Sequence, residues 1–266
     1  MSLRINNNVE ALIAHDALVK TSSQVSKSME RLSTGLRINR AADDAAGLAI
    51  SELMRGQIRG LQQASRNIED GVSFVQTAEG SLDEVHSMLQ RIRELAVQYQ
   101  NGTLSDASHT AIQSEVDQLA AEIERVGTSA KFNGVTLLDA DGTSVSFQIG
   151  ANDGEQISVA LVSLGKVLGS YSDLATATLG DIDNAINTVS SIRAGFGAVQ
   201  NRLEHSLNVA ASATENLTAA ESRIRDVDMA EEMVKLTKSQ ILQQAGTAML
   251  SQANQEPQSV LNLLKG

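Results

Sequence analysis

Apolar residues recur every seven positions along the C-terminal third of the chain. One column of them runs from Ala185 to Ala248, and a second column, offset by three residues, runs from Ile182 to Ile224. Two apolar columns with this offset are typical of the seam of a coiled coil. The pattern predicts one continuous helical rod of about 70 residues and roughly 100 Å, because a helix rises about 1.5 Å per residue.

Two earlier segments have the same periodicity. Residues from about 44 to 100 and from about 106 to 128 carry apolar side chains at steps of three and four, and Asn101-Gly102 separates them. The short connection predicts that the two helices are antiparallel neighbours. We therefore predict a mainly α fold, a long antiparallel coiled-coil helix bundle. Its predicted core consists of Val75, Leu82, Leu89, Ile92, Ile112, Leu119, Val189, Phe196 and Leu203.

The periodicity changes to alternation after Phe132. Residues 145–149 and 157–161 alternate apolar and polar side chains, and the turn-rich stretch 150–154 joins them. Alternation on both sides of such a turn predicts one small β-hairpin region, at about residues 132–165. An isolated hairpin is only marginally stable, so we expect helices to cover its apolar face.

The first 34 residues predict a weaker helix. Val25, Met29, Leu32 and Leu36 follow steps of four, three and four, but polar residues interrupt the pattern further upstream. Burying the large apolar side chains would contribute on the order of 15–30 kcal/mol, whereas ordering the backbone costs about 30–60 kcal/mol. We therefore expect this segment to be disordered alone and to become ordered only against a partner.

Residues 33–47 predict a break in the helical pattern. Gly35 suits the C-cap of the first helix, and Asp43 suits the N-cap of the next. Both ends of the chain carry helical seams, so we expect the N- and C-termini to lie side by side. We predict a terminal domain of residues 1–43 with 227–266, disordered in the monomer, and a second domain of residues 44–226.

Composition and charge exclude several classes of function. A net charge of -11 repels phosphate, and four Phe, two Tyr and no Trp offer few stacking platforms for bases, so nucleic acid is not an expected partner. The sequence contains no run of 18 apolar residues, which a membrane-spanning helix would require. The chain has no Cys and no His-Glu-x-x-His motif, and the adjacent carboxylate pairs Asp43-Asp44 and Glu231-Glu232 point apart on a helix. The sequence therefore indicates no catalytic site, no metal, no cofactor and no enzyme.

A candidate contact surface lies beside the inner columns of the second helix. Arg91 and Leu95 are four residues apart, next to Ile92 but outside its columns. An apolar side chain beside an arginine suits a contact surface, although a single exposed leucine needs no special explanation. The spacing leaves both interpretations open.

Several motifs occur in order along the chain and are specific in combination. They are Leu-Ser-Thr-Gly-Leu-Arg-Ile-Asn at 32–39, Asp-Asp-Ala-Ala-Gly-Leu-Ala-Ile at 43–50, Gln-Arg-Ile-Arg-Glu-Leu-Ala-Val at 90–97, Phe-Asn-Gly-Val at 132–135 and Ser-Gln-Ile-Leu-Gln-Gln-Ala-Gly at 239–246. With them the chain resembles bacterial flagellin over essentially its whole length. It departs from many flagellins in its short middle, which lacks the large outer domains.

The resemblance implies a structural subunit that polymerises into the flagellar filament for motility. The terminal segments would form an inner tube of coiled coils, and the flanking helices with the hairpin would form an outer tube. A heterologous interface that repeats without closing produces a helical filament. The predicted polymerisation seam consists of Val25, Met29, Leu32, Leu36, Val227, Val234, Ile241, Ala248, Leu261 and Leu264.

The resemblance also implies partners and a location. Besides further copies of the chain, the partners are the filament cap, the hook–filament junction proteins and a flagellar export chaperone, which binds the last 40 residues. The N-terminus has no secretory signal, which alone would indicate the cytosol. Export through the flagellar type III apparatus instead implies an extracellular protein. The alternatives are a hook–filament junction protein and an enzyme carried on a filament scaffold.

The motif at 90–97 resembles the segment that Toll-like receptor 5 recognises in animal hosts. Arg91, Leu95 and Glu115 match positions that the family uses, and the resemblance implies that they form a receptor and inter-subunit patch.

Overall fold

The computed structural model describes the backbone of residues 8–139, 142–166 and 173–265, with side chains as far as residue 256. The chain forms two compact units, Met1–Arg55 with Leu217–Gly266, and Gly56–Asn216. The predicted domain boundaries, after residue 43 and before residue 227, both lie inside the first of these units. None of the helices in the described ranges has a stretch that is long and apolar enough to cross a membrane.

Helices account for most of the described chain, as the sequence predicts. The elements are α1 (Val9–Thr34), α2 (Ala45–Tyr99), α3 (Asp106–Ser129), β1 (Lys131–Phe132), β2 (Val135–Thr136), β3 (Ser144–Gln148), β4 (Gln156–Ala160), a 3₁₀ turn (Leu164–Lys166), α4 (Leu179–Arg225) and α5 (Met229–Lys265).

The Gly56–Asn216 unit has one continuous apolar core, to which α2, α3, α4 and the strands contribute. Val75 and Leu89 on α2 are completely buried, as are Val189 and Leu203 on α4. Each such side chain contributes about 1.5–3 kcal/mol relative to an exposed position. All the residues predicted for this core belong to it, and Leu119 is the one that packs at its edge, partly exposed.

The predicted β-hairpin is present as β3 and β4. Phe147 pairs with Ile157, and Ser146 with Ser158, whose hydroxyl groups lie 3.0 Å apart on the exposed face. Phe147 packs edge-to-face on Phe74 of α2, with the ring centroids 5.5 Å apart. The helical core therefore covers the apolar face of the hairpin, as expected for a two-stranded sheet that is marginal alone.

A second, shorter hairpin was not predicted. Its strands, β1 and β2, are joined by Asn133 and Gly134, which have φ angles of 47° and 83°. An Asn-Gly pair with two positive φ angles is the preferred two-residue turn of a β-hairpin. The signal was therefore present in the sequence, and Phe132 in β1 also packs on Phe74, with centroids 5.7 Å apart.

The prediction of one continuous C-terminal rod is wrong. A break at residues 226–228 separates α4 from α5. The Asp228 carboxylate accepts hydrogen bonds from the N–H groups of Ala230 and Glu231 at 2.9 and 3.1 Å. These bonds satisfy free donors in the first turn of α5, so a new helix begins there even though the seven-residue apolar spacing continues through the break.

The predicted C-terminal cap of α1 is confirmed, whereas the predicted N-terminal cap of α2 is wrong. Gly35 ends α1 with a φ of 72°, and its N–H donates to the Arg31 carbonyl at 2.8 Å. The N-terminal cap of α2 is Asp44, whose Oδ1 accepts from the Gly47 N–H at 2.8 Å. Asp43 was predicted for this role, but its carboxylate binds the turn that precedes the helix.

Candidate assembly surface

The terminal helices α1 and α5 pack against each other as an antiparallel pair. Near the start of α1, Asn8 Nδ2 donates to the Ala253 carbonyl at 2.8 Å. Twenty residues further along α1, Ser28 Oγ donates to Glu232 Oε1 at 2.6 Å. Because the contacts advance along one helix and retreat along the other, the two helices run in opposite directions. The terminal segments therefore lie side by side, as predicted.

Small and polar side chains dominate the seam between these two helices. Gly246 faces Leu18, because a methyl group added to the glycine would lie 3.4 Å from Leu18 Cδ1, in ordinary van der Waals contact. Small residues allow a close approach, but they bury little apolar surface. The seam positions, spaced by three and four, are Ala11, Ala14, Leu18, Thr21, Val25, Ser28 and Leu32 on α1, and Glu232, Leu236, Ser239, Gln243, Gly246, Leu250 and Ala253 on α5.

A buried carboxylate lies in this seam. Glu232 is only 3% exposed, and besides Ser28 it has Arg31 Nη1 at 3.7 Å and Lys235 Nζ at 3.8 Å. A buried charge without partners would cost several kcal/mol. Since Ser28 and Arg31 come from α1 and Glu232 from α5, only one register of the pair satisfies the carboxylate. The cluster therefore selects the register of α1 against α5.

The outward face of the pair carries the larger apolar side chains. Val234 and Ile241 on α5 are 68% and 61% exposed, and Leu12 on α1 is 62% exposed. At about 100° per residue, positions 234 and 241 lie nearly opposite the inward positions 232, 236 and 239. We define the outward face as Val9, Leu12, Ile13, Val19, Met29, Met229, Met233, Val234, Ile241, Leu242 and Met249, which are all at least about half exposed.

The residues of the predicted polymerisation seam divide between two surfaces. Met29, Val234 and Ile241 belong to the outward face, and Ala248 is also exposed. Val25 is instead half-buried in the seam within the chain. Val25 and Leu32 are seven residues apart and share the inward column of α1, whereas Met29 lies beside that column and stays about half exposed.

Leu32 also lies in the intramolecular seam, half-buried. Leu36 forms an isolated β-bridge with Asp226, beside Val227. The structure therefore assigns these predicted seam residues to contacts within one chain. Leu261 and Leu264 lie outside the residues whose side chains are described.

Backbone hydrogen bonds tie the chain after α1 to the break between α4 and α5. The Arg37 N–H donates to the Arg225 carbonyl at 2.7 Å, and the Val227 N–H donates to the Gly35 carbonyl at 3.0 Å. The Arg37 guanidinium donates to the Ile224 carbonyl at 2.5 and 3.2 Å. A cation at this carbonyl satisfies an unpaired acceptor in the last turn of α4.

Ion pairs reinforce this connection. Lys27 Nζ lies 2.6 Å from Asp43 Oδ1, while Asp43 Oδ2 accepts from the Arg40 N–H at 3.1 Å. The Lys27 ammonium, with these backbone donors, lowers the pKa of the Asp43 carboxyl to about 2. Arg225 Nη1 donates to Glu52 Oε1 at 2.6 Å and holds the pKa of that carboxyl below its usual value.

The predicted receptor patch is only partly a surface. Arg91 donates to Glu115 Oε1 through Nε and Nη2 at 3.0 and 2.9 Å, and this bond raises the pKa of Arg91. Leu95, however, is only 2% exposed and belongs to the core. The expectation of an exposed leucine is wrong, because Leu95 continues a further heptad column with Phe74 and Met88. Neighbouring elements therefore bury a third column of α2 in addition to the two predicted inner columns.

Sequence reasoning missed the register cluster and the small-residue seam. The predicted seam was based on columns of large apolar residues, and Ser28, Glu232 and Gly246 do not belong to such a column. A signal was nevertheless present in the sequence, because Leu18 and Leu32 are fourteen residues apart. They therefore lie on one face of α1, which is the face that contacts α5. The break after α4 was missed because nothing in the apolar spacing changes there.

An antiparallel helix pair with a small-residue seam and an exposed apolar outward face is the construction of a structural protein that assembles with copies of itself. Family comparisons agree with this class. The bacterial flagellin N-terminal helical region matches residues 5–143, and the bacterial flagellin C-terminal helical region matches residues 179–264.

Known relatives are similar over nearly their whole length. A flagellin of Halalkalibacterium halodurans is 52% identical, with 98% of this chain and 99% of the relative covered. A flagellin of Bacillus subtilis is 49% identical over 99% of this chain and 100% of its own length. The flagellar filament 33 kDa core protein of Treponema phagedenis is 49% identical over 98% and 99%. The crystal structure of Bacillus cereus flagellin has a TM-score of 0.51 at 30% identity, covering 59% of this chain and 94% of that one.

The chain belongs to the bacterial flagellin family. Flagellins are structural subunits of the flagellar filament, an extracellular appendage, and they are not enzymes. This chain is therefore a filament subunit, which confirms the prediction from its motifs.

Proposed function

We propose that the chain builds the filament by covering the outward face of its α1–α5 pair with the terminal helices of neighbouring subunits. The exposure of this face carries the proposal. Removing the remaining exposed half of each large apolar side chain from water contributes about 1 kcal/mol, or on the order of 10 kcal/mol for the whole face. This gain is comparable to the cost of association, about 4–15 kcal/mol, so assembly driven by this face is reversible and depends on concentration.

The same surface explains why the terminal segments would be disordered in the monomer and ordered in the filament. The seam within the chain contains many Ala, Ser, Thr, Gly and Gln residues, and its burial offsets little of the entropy cost of ordering two helices. Covering the outward face supplies the missing stabilisation. We therefore assign α1 and α5 to the inner tube of the filament, and α2, α3, the first part of α4 and the hairpins to the outer tube.

Exposed apolar helices also account for the other partners. An export chaperone would cover the outward face of α5, where Met233, Ile241 and Leu242 surround an open hollow of about 490 Å³. The filament cap and the hook–filament junction proteins would complete the same face at the two ends of the polymer. Export as a largely unfolded chain through the flagellar type III apparatus suits terminal segments that order only on assembly.

Recognition by Toll-like receptor 5 rests on the 90–97 motif and on two exposed side chains. Arg91 and Glu115 are each about half exposed and form an ion pair on the surface. They can contact a receptor directly, whereas Leu95 supports the backbone of α2 from beneath. A receptor reporter assay with purified monomer tests this: Arg91→Ala should weaken the response, and no response to the unmodified monomer at saturating concentration refutes recognition.

Electron microscopy of purified protein after seeding with filament fragments tests the proposed assembly. Long filaments should grow from the intact chain, and a chain that only completes a junction would not elongate. Deleting residues 1–34 or 227–266 should abolish growth. Either truncated chain growing normal filaments would contradict the assembly mechanism.

A further inference from the structure

The oxidisable side chains of this protein are concentrated on one surface. The chain has no Cys and no Trp, so its seven methionines are its most readily oxidised residues. Six of them lie in the described part of the chain. Met54 and Met88 are only partly exposed, whereas the remaining four, all on α1 or α5, are at least half exposed: Met29 53%, Met229 50%, Met233 50% and Met249 64%.

These four methionines belong to the outward face. Met233 lines the hollow on α5 together with Val234 and Ile241. Met229 lies one helical turn before Met233, at the edge of the seam on the column of Leu236, and Met249 follows Leu242 by seven residues; both are at least half exposed. Methionine suits such a surface because its flexible thioether adapts to irregular partner surfaces. The same thioether is also the group that oxidants attack first.

We propose that Met29, Met229, Met233 and Met249 form a modification site at which oxidation blocks assembly of the free subunit. The oxidant is hydrogen peroxide, a two-electron oxygen donor. The thioether sulfur attacks the peroxide oxygen, an S–O bond forms as the O–O bond breaks, and the products are methionine sulfoxide and water. The sulfur loses two electrons and the peroxide gains them.

The chemical change opposes assembly directly. A sulfoxide is polar and accepts hydrogen bonds, and in an apolar interface its oxygen has no donor. The proposal rests on the proposed function, because the same residues must be buried between subunits for oxidation to affect assembly. It follows that a filament shields its methionines and a free subunit exposes them, so oxidation acts on subunits before they assemble.

The test compares free and assembled protein treated with hydrogen peroxide. Monomer is oxidised, the peroxide is removed, and the critical concentration for growth on seeds is measured, with peptide mass spectrometry to locate the sulfoxides. We expect oxidation of the four methionines and a rise of at least tenfold in critical concentration. Treatment with methionine sulfoxide reductase and a thiol should restore assembly.

Two sets of leucine variants provide matched controls. Replacing Met29, Met229, Met233 and Met249 together by leucine preserves the apolar volume, and this variant should assemble equally well before and after peroxide. The variant M54L/M88L should remain as sensitive as the natural chain. If the fourfold variant assembles poorly even without peroxide, reversal of the block by the reductase on the natural chain decides the matter.

The outcomes separate the two proposals. Oxidised monomer that assembles at an unchanged critical concentration overturns the modification site and leaves the assembly surface intact, as does a block that the reductase cannot reverse. Filaments whose four methionines oxidise as fast as those of free monomer show that the outward face is not covered. That result would overturn the proposed function, and the modification site with it.

Discussion

Truncating Val234 and Ile241 to alanine is the most direct perturbation of the outward face. Both side chains are more than 60% exposed on α5, so in the isolated chain they contribute little to stability. The free energy of unfolding of the monomer should therefore change by less than about 0.5 kcal/mol, as for other surface substitutions. In a filament that covers the face, the same two truncations remove buried apolar groups.

The size of the effect follows from the exposed fractions. The two substitutions remove five carbon atoms, and at about 0.8 kcal/mol for each buried carbon the full loss is about 4 kcal/mol. Part of each side chain already contacts its own helix, so scaling by the exposed fractions leaves about 2.5 kcal/mol. Each 1.4 kcal/mol is a factor of ten, so the critical concentration should rise by a factor of roughly 70.

The assay is sedimentation of filaments grown on seeds over a range of subunit concentrations, with circular dichroism of the monomer alongside. Leu236→Ala is the control, because Leu236 is 7% exposed and lies in the seam within the chain. In the filament that variant should weaken the α1–α5 pair and lower the temperature of thermal dissociation, whereas the monomer, in which α1 and α5 are expected to be disordered, should keep its helicity. A critical concentration of V234A/I241A within twofold of the natural value would refute assembly through the outward face.

Three further predictions concern other contacts. In a double-mutant cycle on the thermal dissociation of filaments, Ser28→Ala and Glu232→Gln should show a coupling energy of about 1–2 kcal/mol; independent effects would contradict the register cluster. Because the pKa of Asp43 is lowered to about 2, its stabilisation, about 1 kcal/mol after solvent screening, is complete above pH 4 and lost as pH falls towards 2. Thermal dissociation of filaments of the natural chain and of Asp43→Asn should therefore differ at pH 5 and converge near pH 2. Leu95→Ala should lower the free energy of unfolding by about 2–5 kcal/mol, and the exposed Arg91→Ala should change it far less, as denaturant titration would show.

Apolar spacing predicted the helices and the core of the Gly56–Asn216 unit because large side chains there meet other elements of the same chain. It placed Val75, Leu89 and Val189 correctly, since an inward column of a long helix remains inward as long as the helix continues. It failed for Leu95, because spacing along one helix does not reveal how many neighbours that helix has. The number of neighbours is a tertiary property that only the packed chain reveals.

The break at residues 226–228 shows why the assembly surface was predicted only in part. The column that contains Ala185 faces the core in α4, but the same column faces outward in α5, where it contains Val234 and Ile241. An uninterrupted supercoiled rod would have kept the column on one face in both segments. The polar cap at Asp228 restarts the helix, and the α1–α5 seam then uses a different column.

Restarting the helix allows the chain to pair its termini without using its strongest apolar column. If the seam within the chain consisted of Val234, Ile241 and Ala248, the α1–α5 pair would be stable alone and would expose mainly polar residues. The observed arrangement does the reverse: small residues and one satisfied carboxylate specify which residues of α1 and α5 meet. The larger side chains remain exposed, where the proposed assembly would place a neighbouring subunit. In the proposed assembly, register and affinity would reside on opposite faces of the same two helices, and the pair would form in the correct register yet require the filament for its stability.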